Sequence, residues 1–92
     1  MKVIKRNGNV VDFDQIKIES AIEKANCEVK TGERATKKEI HQIIEEILAL
    51  KKNRLLVEDI QDFIEEKLME FGHFELAKKY IIYRYNRALI RK

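Results

Sequence analysis

Apolar residues recur at positions i, i+3, i+4 and i+7 along most of the chain, which is the spacing of amphipathic α-helices. The first helix is predicted to begin after Asp14, a candidate N-cap, and to end near Asn26. Phe13 and Ile18 flank its first turn in the arrangement of a hydrophobic staple. Its predicted buried stripe contains Ile18, Ala21, Ile22 and Ala25 and extends toward Val29.

A second helix is predicted beyond a polar loop around Gly32. Thr36 and Glu39 have the spacing of a capping box, in which the hydroxyl and the carboxylate each accept a hydrogen bond from a free backbone N–H. Lysines suit the negative end of the helix dipole, so this helix should end near residues 51–53. The face predicted to be buried consists of Ile40, Ile43, Ile44, Ile47 and Leu48.

Two more helices are predicted in the rest of the chain. The third starts near Val57 and ends at Gly72, because glycine accepts the left-handed conformation that follows many helices. Its apolar stripe consists of Ile60, Phe63, Ile64, Leu68 and Phe71. The last helix starts at His73 or Phe74, and its predicted core face consists of Leu76, Ala77, Tyr80, Ile81, Tyr85 and Ala88. A separate basic stripe on this helix contains Arg84, Arg87 and Arg91.

The first thirteen residues predict a β-hairpin. Two short runs rich in valine and isoleucine flank an Asn-Gly pair, the strongest short-range signal for a two-residue type I′ turn. Such a turn pairs Ile4 with Val11 and Lys5 with Val10. An isolated hairpin is only marginally stable in water, so it has to pack on the helices.

The predicted fold is therefore mainly α (α+β), a four-helix bundle capped by the hairpin. The length of 92 residues fits a single domain, residues 1–92, with the hairpin at 2–13 and the helices at 14–90. No apolar run approaches the roughly 20 residues of a membrane span, and the first residues do not resemble a secretory signal. The lone Cys27 cannot form an internal disulfide. We therefore expect a cytoplasmic domain that does not enter membranes.

Basic residues outnumber acidic ones by 19 to 16, which gives a net charge of +3, and they concentrate at the two ends of the chain. The basic residues at the ends are Lys2, Lys5, Arg6, Lys78, Lys79, Arg84, Arg87, Arg91 and Lys92. Between Glu39 and Glu75, in contrast, acids outnumber bases. If the fold brings the ends together, they form a positive patch suited to a phosphate-bearing partner.

The residue types argue against catalysis and against a metal centre. His41 and His73 accompany no recognisable serine or cysteine motif, and one cysteine with two distant histidines cannot supply the about four ligands of a structural zinc site. A glycine-rich phosphate loop is also missing, so any phosphate would be held by side-chain cations. The candidates are Lys5, Arg6, Lys17, Arg84 and Arg87. Their spacing alone does not show that they converge, and each taken singly fits a solvated surface better.

Six sequence blocks follow one another along the chain. They are V-I-K-R-N-G at 3–8, F-D-x-x-K-I at 13–18, A-I-x-K-A at 21–25, V-E-D-I-Q-D at 57–62, L-M at 68–69 and A-K-x-Y-I-x-Y-R-x-x-R at 77–87. In this order they resemble the ATP-cone, the nucleotide-binding regulatory domain of ribonucleotide reductases and of the ribonucleotide-reductase repressor. The resemblance covers about residues 2–91. The sequence looks most like the cones of anaerobic ribonucleoside-triphosphate reductases and of the repressor.

The resemblance implies a hairpin lid on a four-helix bundle, with ATP and dATP competing for a site between lid and helices. It implies a non-catalytic allosteric domain that controls the overall activity of a ribonucleotide reductase and takes ATP or dATP with Mg²⁺ on the phosphates. The implied partners are a nucleoside triphosphate, the reductase catalytic domain or subunit and, on nucleotide binding, further copies of the chain in a homo-oligomer. Neither a membrane nor a nucleic acid is expected as a partner. The implied nucleotide-binding residues are Val3, Lys5, Arg6, Asn7, Gly8, Val11, Lys17, Ile18, Val57, Gln61, Arg84 and Arg87.

The resemblance also implies a role for each position. The residues implied to contact phosphates are Lys5, Arg6, Arg84 and Arg87, with Gln61 nearby. Those implied to border the adenine and the ribose are Val3, Val11, Lys17 and Ile18, with Val57 beside the sugar. Two positions depart from the family pattern. Asn7 replaces the usual Asp of a K-R-D-G turn, and both residues suit such a turn. Val57 stands where many cones have Thr or Ser, and its methyl groups cannot hydrogen-bond a sugar hydroxyl.

Two other functions stay open at the level of sequence. The first is the cone of a nucleotide-responsive transcriptional repressor, which would bind duplex DNA; that repressor carries a zinc-binding segment ahead of its cone, and we expect none here because the cysteines for it are missing. The second is a stand-alone helical interaction module, whose basic patch would dock an acidic partner without any dependence on nucleotide.

Overall fold

The computed structural model describes residues 1–90, with side chains up to residue 86. Within this part the strands are β1 (Lys2–Ile4), β2 (Val10–Asp12) and β3 (Arg54–Leu56), and the helices are α1 (Gln15–Asn26), α2 (Lys37–Ala49), α3 (Val57–Glu70) and α4 (Phe74–Ile90). A short 3₁₀ helix, Thr31–Glu33, lies between α1 and α2. The predicted fold class, a mainly helical chain with an N-terminal β-lid on four helices, is confirmed. No helix of the described residues is long and apolar enough to cross a membrane.

The hairpin belongs to a three-stranded sheet in which β1 is the central strand. β1 pairs antiparallel with β2 and parallel with β3, where Val3 is matched with Leu55 and Ile4 with Leu56. The Lys2 N–H also donates to the carbonyl oxygen of Asn53 at 2.8 Å. The sequence pattern did not predict β3, because three residues with one buried side chain are too few to show an alternation. Because β3 is followed directly by α3, its pairing with β1 places the hairpin beside the start of α3.

The predicted two-residue turn and its register are wrong by one residue. The Gly8 N–H donates to the Lys5 carbonyl oxygen at 2.9 Å, and the Lys5 N–H donates to the Asn9 carbonyl oxygen at 2.8 Å. The loop therefore has three residues and ends in Gly8 with a φ of +87°, whereas a type I′ turn needs positive φ at Asn7 as well. As a consequence β1 and β2 pair Val3 with Val11, not Ile4 with Val11.

The predicted helix ends are largely confirmed by their caps. Asp14 accepts a hydrogen bond from the Ile16 N–H at the start of α1, and both hydrogen bonds of the Thr36–Glu39 capping box are present. At the end of α3, Gly72 has a φ of +83° and its N–H donates to the Met69 carbonyl oxygen. α2 ends at Ala49, slightly before the predicted boundary at residues 51–53.

The helices enclose one apolar core that also contains Val3 and Leu55 of the sheet. Three residues predicted to be buried are exposed instead: Leu48 by 43%, Ile81 by 40% and Tyr85 by 63%. On α4 the buried stripe runs through Ala77 and Tyr80 to the half-buried Arg84, because carboxylates of α3 meet the arginine there. That direction turns Ile81 and Tyr85 away from the core. Ala88 and Arg91, which the sequence placed on the two stripes of this helix, lie outside the described side chains.

Candidate ligand-binding site

A cavity of about 440 Å³ lies between the sheet and three of the helices. Its wall comes from β1, β2 and the loop between them, and from α1, α3 and α4. Small-molecule sites are typically concave, roughly 300–1,000 Å³ in volume, and apolar with a few convergent polar groups. This cavity has both the size and the lining of such a site.

Nine of the twelve sequence-predicted binding residues line this cavity. They are Val3, Lys5, Arg6, Val11, Lys17, Ile18, Val57, Gln61 and Arg84. Asn7 and Gly8 do not line the cavity and lie in the turn that connects β1 to β2. The side chain of Arg87 lies outside the described residues. Contact between any of these residues and a nucleotide remains a prediction.

The structure brings together four of the five cations whose convergence the sequence could not show: Lys5, Arg6, Lys17 and Arg84. With Lys24, five basic side chains among the described residues line the cavity. Sequence reasoning did not select Lys24, although it lies seven residues after Lys17 and therefore on the same face of α1. The Lys24 ammonium lies 5.9 Å from the ring centroid of Tyr83, which is within the range of a cation–π contact. Two carboxylates, Asp12 and Asp14, also line the cavity.

Arg84 is held at the cavity wall by three carboxylates of α3. Its Nη1 donates to Asp62 Oδ1 at 3.0 Å and to Glu65 Oε1 at 2.8 Å, and its Nη2 donates to Glu58. The side chain is only 16% exposed. Burial alone would lower the pKa of Arg84, but the hydrogen bonds to Glu65, Glu58 and Asp62 outweigh this effect and raise it. Arg84 is therefore a fixed positive charge.

Sequence reasoning missed these three carboxylates, yet a signal for them exists. Glu58, Asp62 and Glu65 stand at i, i+4 and i+7, which places them on one face of α3. An acidic stripe on one helix and an arginine on the next helix of a bundle fit an interhelical ion-pair network. Arg84 lies far from these carboxylates in the sequence, however, so the stripe alone does not identify it as their partner.

Glu58 links the loop between β1 and β2 to α4, because its carboxylate accepts from Arg6 as well as from Arg84. Burial alone would raise the pKa of Glu58, but the hydrogen bonds from Arg6 and Arg84 hold it below the usual range of a glutamate. The carboxylate is thus ionised at neutral pH and pairs with both arginines.

The rest of the wall is mostly apolar. Val3, Val11, Ile18, Val57, Ile60 and Ile64 contribute aliphatic surface, and Tyr80 and Tyr83 contribute aromatic rings. Gln61 lies among them, and its Oε1 is buried without a hydrogen-bond partner among the described residues. A buried acceptor without a partner is costly, so a rearrangement on ligand binding that turns Oε1 toward a donor of the ligand would remove the cost. Within the described part of the chain, no group of three or more His, Cys, Asp or Glu side chains could hold a metal ion.

The sequence matches the family model described as "ATP cone domain" over residues 1–89. The chain belongs to the ATP-cone family. Members of this family are regulatory domains that bind ATP or dATP. The match confirms the resemblance that the six sequence blocks indicated.

Several relatives of this ATP-cone are ribonucleotide reductases. The chain is 42% identical over 98 residues to the vitamin B12-dependent ribonucleoside-diphosphate reductase of Thermoplasma acidophilum, covering 99% of the chain and 12% of the relative. It is 37% identical over 102 residues to the ribonucleoside-diphosphate reductase subunit alpha of Chlamydia trachomatis, covering 99% and 10%. It is 34% identical over 91 residues to the anaerobic ribonucleoside-triphosphate reductase of Haemophilus influenzae, covering 98% and 13%. The chain thus spans only about a tenth of the length of these curated relatives.

Proposed function

We propose that this ATP-cone binds ATP or dATP in the cavity under the lid and thereby controls the overall activity of a ribonucleotide reductase. The observation that supports the proposal is the lining of the cavity, in which five basic side chains lie beside a largely aliphatic wall. A triphosphate needs the cations, and an adenine ring needs the apolar surface. Charge-assisted hydrogen bonds contribute roughly 1.5–3 kcal/mol each, so several converging cations can hold a triphosphate without a glycine-rich loop.

In this proposal the phosphates lie toward Lys5, Arg6 and Arg84, with Arg87 of the same helix joining them. The adenine and the ribose pack against the aliphatic side chains of Val3, Val11 and Ile18. Lys17 borders the adenine and the ribose as well. Val57 lies beside the sugar, and Gln61 lies near the phosphates. Mg²⁺ enters as the counter-ion of the triphosphate, held by phosphate oxygens.

The partner in this proposal is the catalytic part of a ribonucleotide reductase, because the relatives that share this region are reductases. This ATP-cone itself supplies no catalytic residue and acts by changing how the reductase assembles, including a homo-oligomer that depends on the bound nucleotide. A cytoplasmic location belongs to the same proposal, since nucleoside triphosphates are made and used there.

Isothermal titration calorimetry with ATP, dATP, ADP and GTP tests the proposal. We expect saturable binding of both adenine triphosphates, weaker binding of ADP, and weaker binding of GTP, whose base differs from adenine in its donors and acceptors. Charge reversal at a cavity cation, Lys5→Glu, should remove most of the binding, whereas Lys30→Glu at an exposed position away from the cavity should leave it unchanged. If neither ATP nor dATP binds at millimolar concentration, or if Lys30→Glu weakens binding as much as Lys5→Glu, the proposal is wrong.

A further inference from the structure

Glu58 pairs with two of the three arginines that the proposed function assigns to the phosphates, Arg6 and Arg84. Its Oε1 accepts from Arg6 Nε, and its Oε2 accepts from Arg84 Nη2. Arg6 belongs to the loop between β1 and β2, and Arg84 belongs to α4. A single carboxylate of α3 therefore joins the lid to the last helix. Both arginines line the cavity, whereas Glu58 itself is not among the residues that line it.

The three carboxylates around Arg84 differ in what their removal would change. Asp62 and Glu65 pair with Arg84 through Nη1, and Glu65 is well buried, with 15% of its side chain exposed. These two contacts hold the guanidinium in place without Glu58. Glu58 is 41% exposed and is, among the described carboxylates, the one that contacts both arginines. It is the acceptor that an incoming phosphate can replace without leaving Arg84 unpaired.

A bound phosphate and the Glu58 carboxylate would compete for the same guanidinium. Like charges that share a site repel, and arginine favours phosphate because its planar N–H groups match the phosphate oxygens in pairs. Glu58 accepts from Nε of Arg6 and from Nη2 of Arg84, so it occupies one nitrogen of each guanidinium that a phosphate could also use.

We propose that Glu58 is an internal competitor of the triphosphate, which holds Arg6 and Arg84 in the nucleotide-free chain and gives them up when the phosphates bind. The inference rests on the proposed function. It adds that nucleotide binding breaks the connection between the lid loop and α4 that passes through Glu58. Glu58 thus sets the affinity of the site and couples occupancy to the position of the lid.

The opposite role of Glu58 makes a different prediction. If the carboxylate only positioned the arginines for the ligand, its neutralisation would weaken binding. For a competitor, neutralisation strengthens binding. The sign of the change in affinity therefore decides between the two roles.

Calorimetry of wild type, Glu58→Gln and Glu66→Gln with ATP and AMP provides the test. Glu66 is an exposed carboxylate of the same helix that has no described contact with Arg6 or Arg84, so its variant controls for the change in net charge. We expect Glu58→Gln to bind ATP about fivefold more tightly than wild type, because the phosphates no longer have to displace two partly exposed ion pairs. AMP, which carries one phosphate, should gain less, and Glu66→Gln should match wild type within about twofold. Glu58→Ala provides a second variant in case the amide makes contacts of its own.

Amide hydrogen exchange of the nucleotide-free chain supplies the second measurement. Without the link through Glu58, the Lys5 and Gly8 amides of the lid loop should exchange faster in Glu58→Gln than in wild type and in Glu66→Gln. Weaker or unchanged ATP binding in both Glu58 variants overturns the inference but leaves the proposed function intact, provided that wild type binds ATP. Unchanged exchange of both loop amides also overturns it, because the link would then be irrelevant to the lid. Absence of ATP binding in wild type overturns the proposed function together with the competition.

Discussion

Arg6 and Glu58 form an ion pair although 52 positions separate them in the sequence. The parallel pairing of β1 and β3 produces this contact. Ile4 and Leu56 form the last matched pair of the two strands, and Arg6 and Glu58 each follow two residues later. A three-residue strand that carries no recognisable sequence pattern therefore determines which side chain of α3 meets the lid. The candidate site depends on the register of this strand.

Replacement of the buried residue of β3 should loosen the sheet. Leu55 is 8% exposed and belongs to the core, whereas its neighbour Leu56 is 49% exposed. We expect Leu55→Ala to lower the free energy of unfolding by about 2–4 kcal/mol, because it leaves a cavity in the core. The matched variant Leu56→Ala should cost about 0.5 kcal/mol or less. Urea denaturation of both variants measures the difference, and equal losses would show that burial of Leu55 stabilises the domain no more than the exposed Leu56 does.

The sequence predicted the features of the fold that local chemistry determines. The Thr36–Glu39 capping box, the Asp14 N-cap and the C-terminal Gly72 each depend on residues a few positions apart, and all three are present. The hairpin was predicted for the same reason. Its register was not, because an Asn-Gly pair suits a three-residue loop with positive φ at Gly8 alone as well as a two-residue turn.

The features that the sequence did not predict depend on contacts between distant segments. β3 is defined by its pairing with β1, and the exposure of Ile81 follows from the direction in which Arg84 meets α3. The candidate site divides in the same way. Arg6 and Arg84 could be selected by type and by family resemblance, but their shared carboxylate partner could not, since nothing local pairs Glu58 with either end of the chain.

A methyl group at Gly72 should destabilise the domain through the backbone. Gly72 has a φ of +83°, and a Cβ built on it meets nothing within 4 Å, so the cost is conformational and not a clash. We expect Gly72→Ala to lower the free energy of unfolding by about 1–2 kcal/mol. Gly32 has equal space and no positive φ, so Gly32→Ala should have an effect near zero. Thermal unfolding of the two variants compares them, and a loss of similar size at both positions would contradict the role of the left-handed conformation.

Glu39 should make the free energy of unfolding of the domain depend on pH in the acidic range. Burial alone would raise its pKa, but hydrogen bonds from the Thr36 backbone and from His73 outweigh burial and lower the pKa below its ordinary value of 4.5. A carboxyl with a lowered folded-state pKa contributes stability above pH 4.5, and the contribution disappears as the pH falls through the folded-state pKa.

The variant Glu39→Gln tests this dependence, because it keeps the size of the side chain and removes the charge. Between pH 6 and pH 3, its free energy of unfolding in urea should fall less steeply than that of wild type. The exposed Glu45, which makes no described ion pair, provides the control: Glu45→Gln should retain the slope of wild type. A slope that is the same in all three proteins would rule out a contribution from Glu39.

Replacement of the Gln61 amide should leave the domain at least as stable as wild type and should weaken ATP binding. Its Oε1 is buried without a partner among the described residues, and the residue lines the cavity. Replacement by the similarly shaped Gln61→Met removes the unpaired acceptor, so the nucleotide-free domain should be as stable as wild type or more stable by up to about 1 kcal/mol. If ATP binding turns Oε1 toward a donor of the nucleotide, ATP should bind about three- to tenfold more weakly to the variant, because that hydrogen bond is lost. Thermal unfolding and calorimetry on the same samples measure both effects, with Gln42→Met at an exposed position of α2 as the control. Unchanged ATP affinity in Gln61→Met would show that Oε1 receives no hydrogen bond from the nucleotide, and a large loss of stability would show that the amide already has a partner in the free domain.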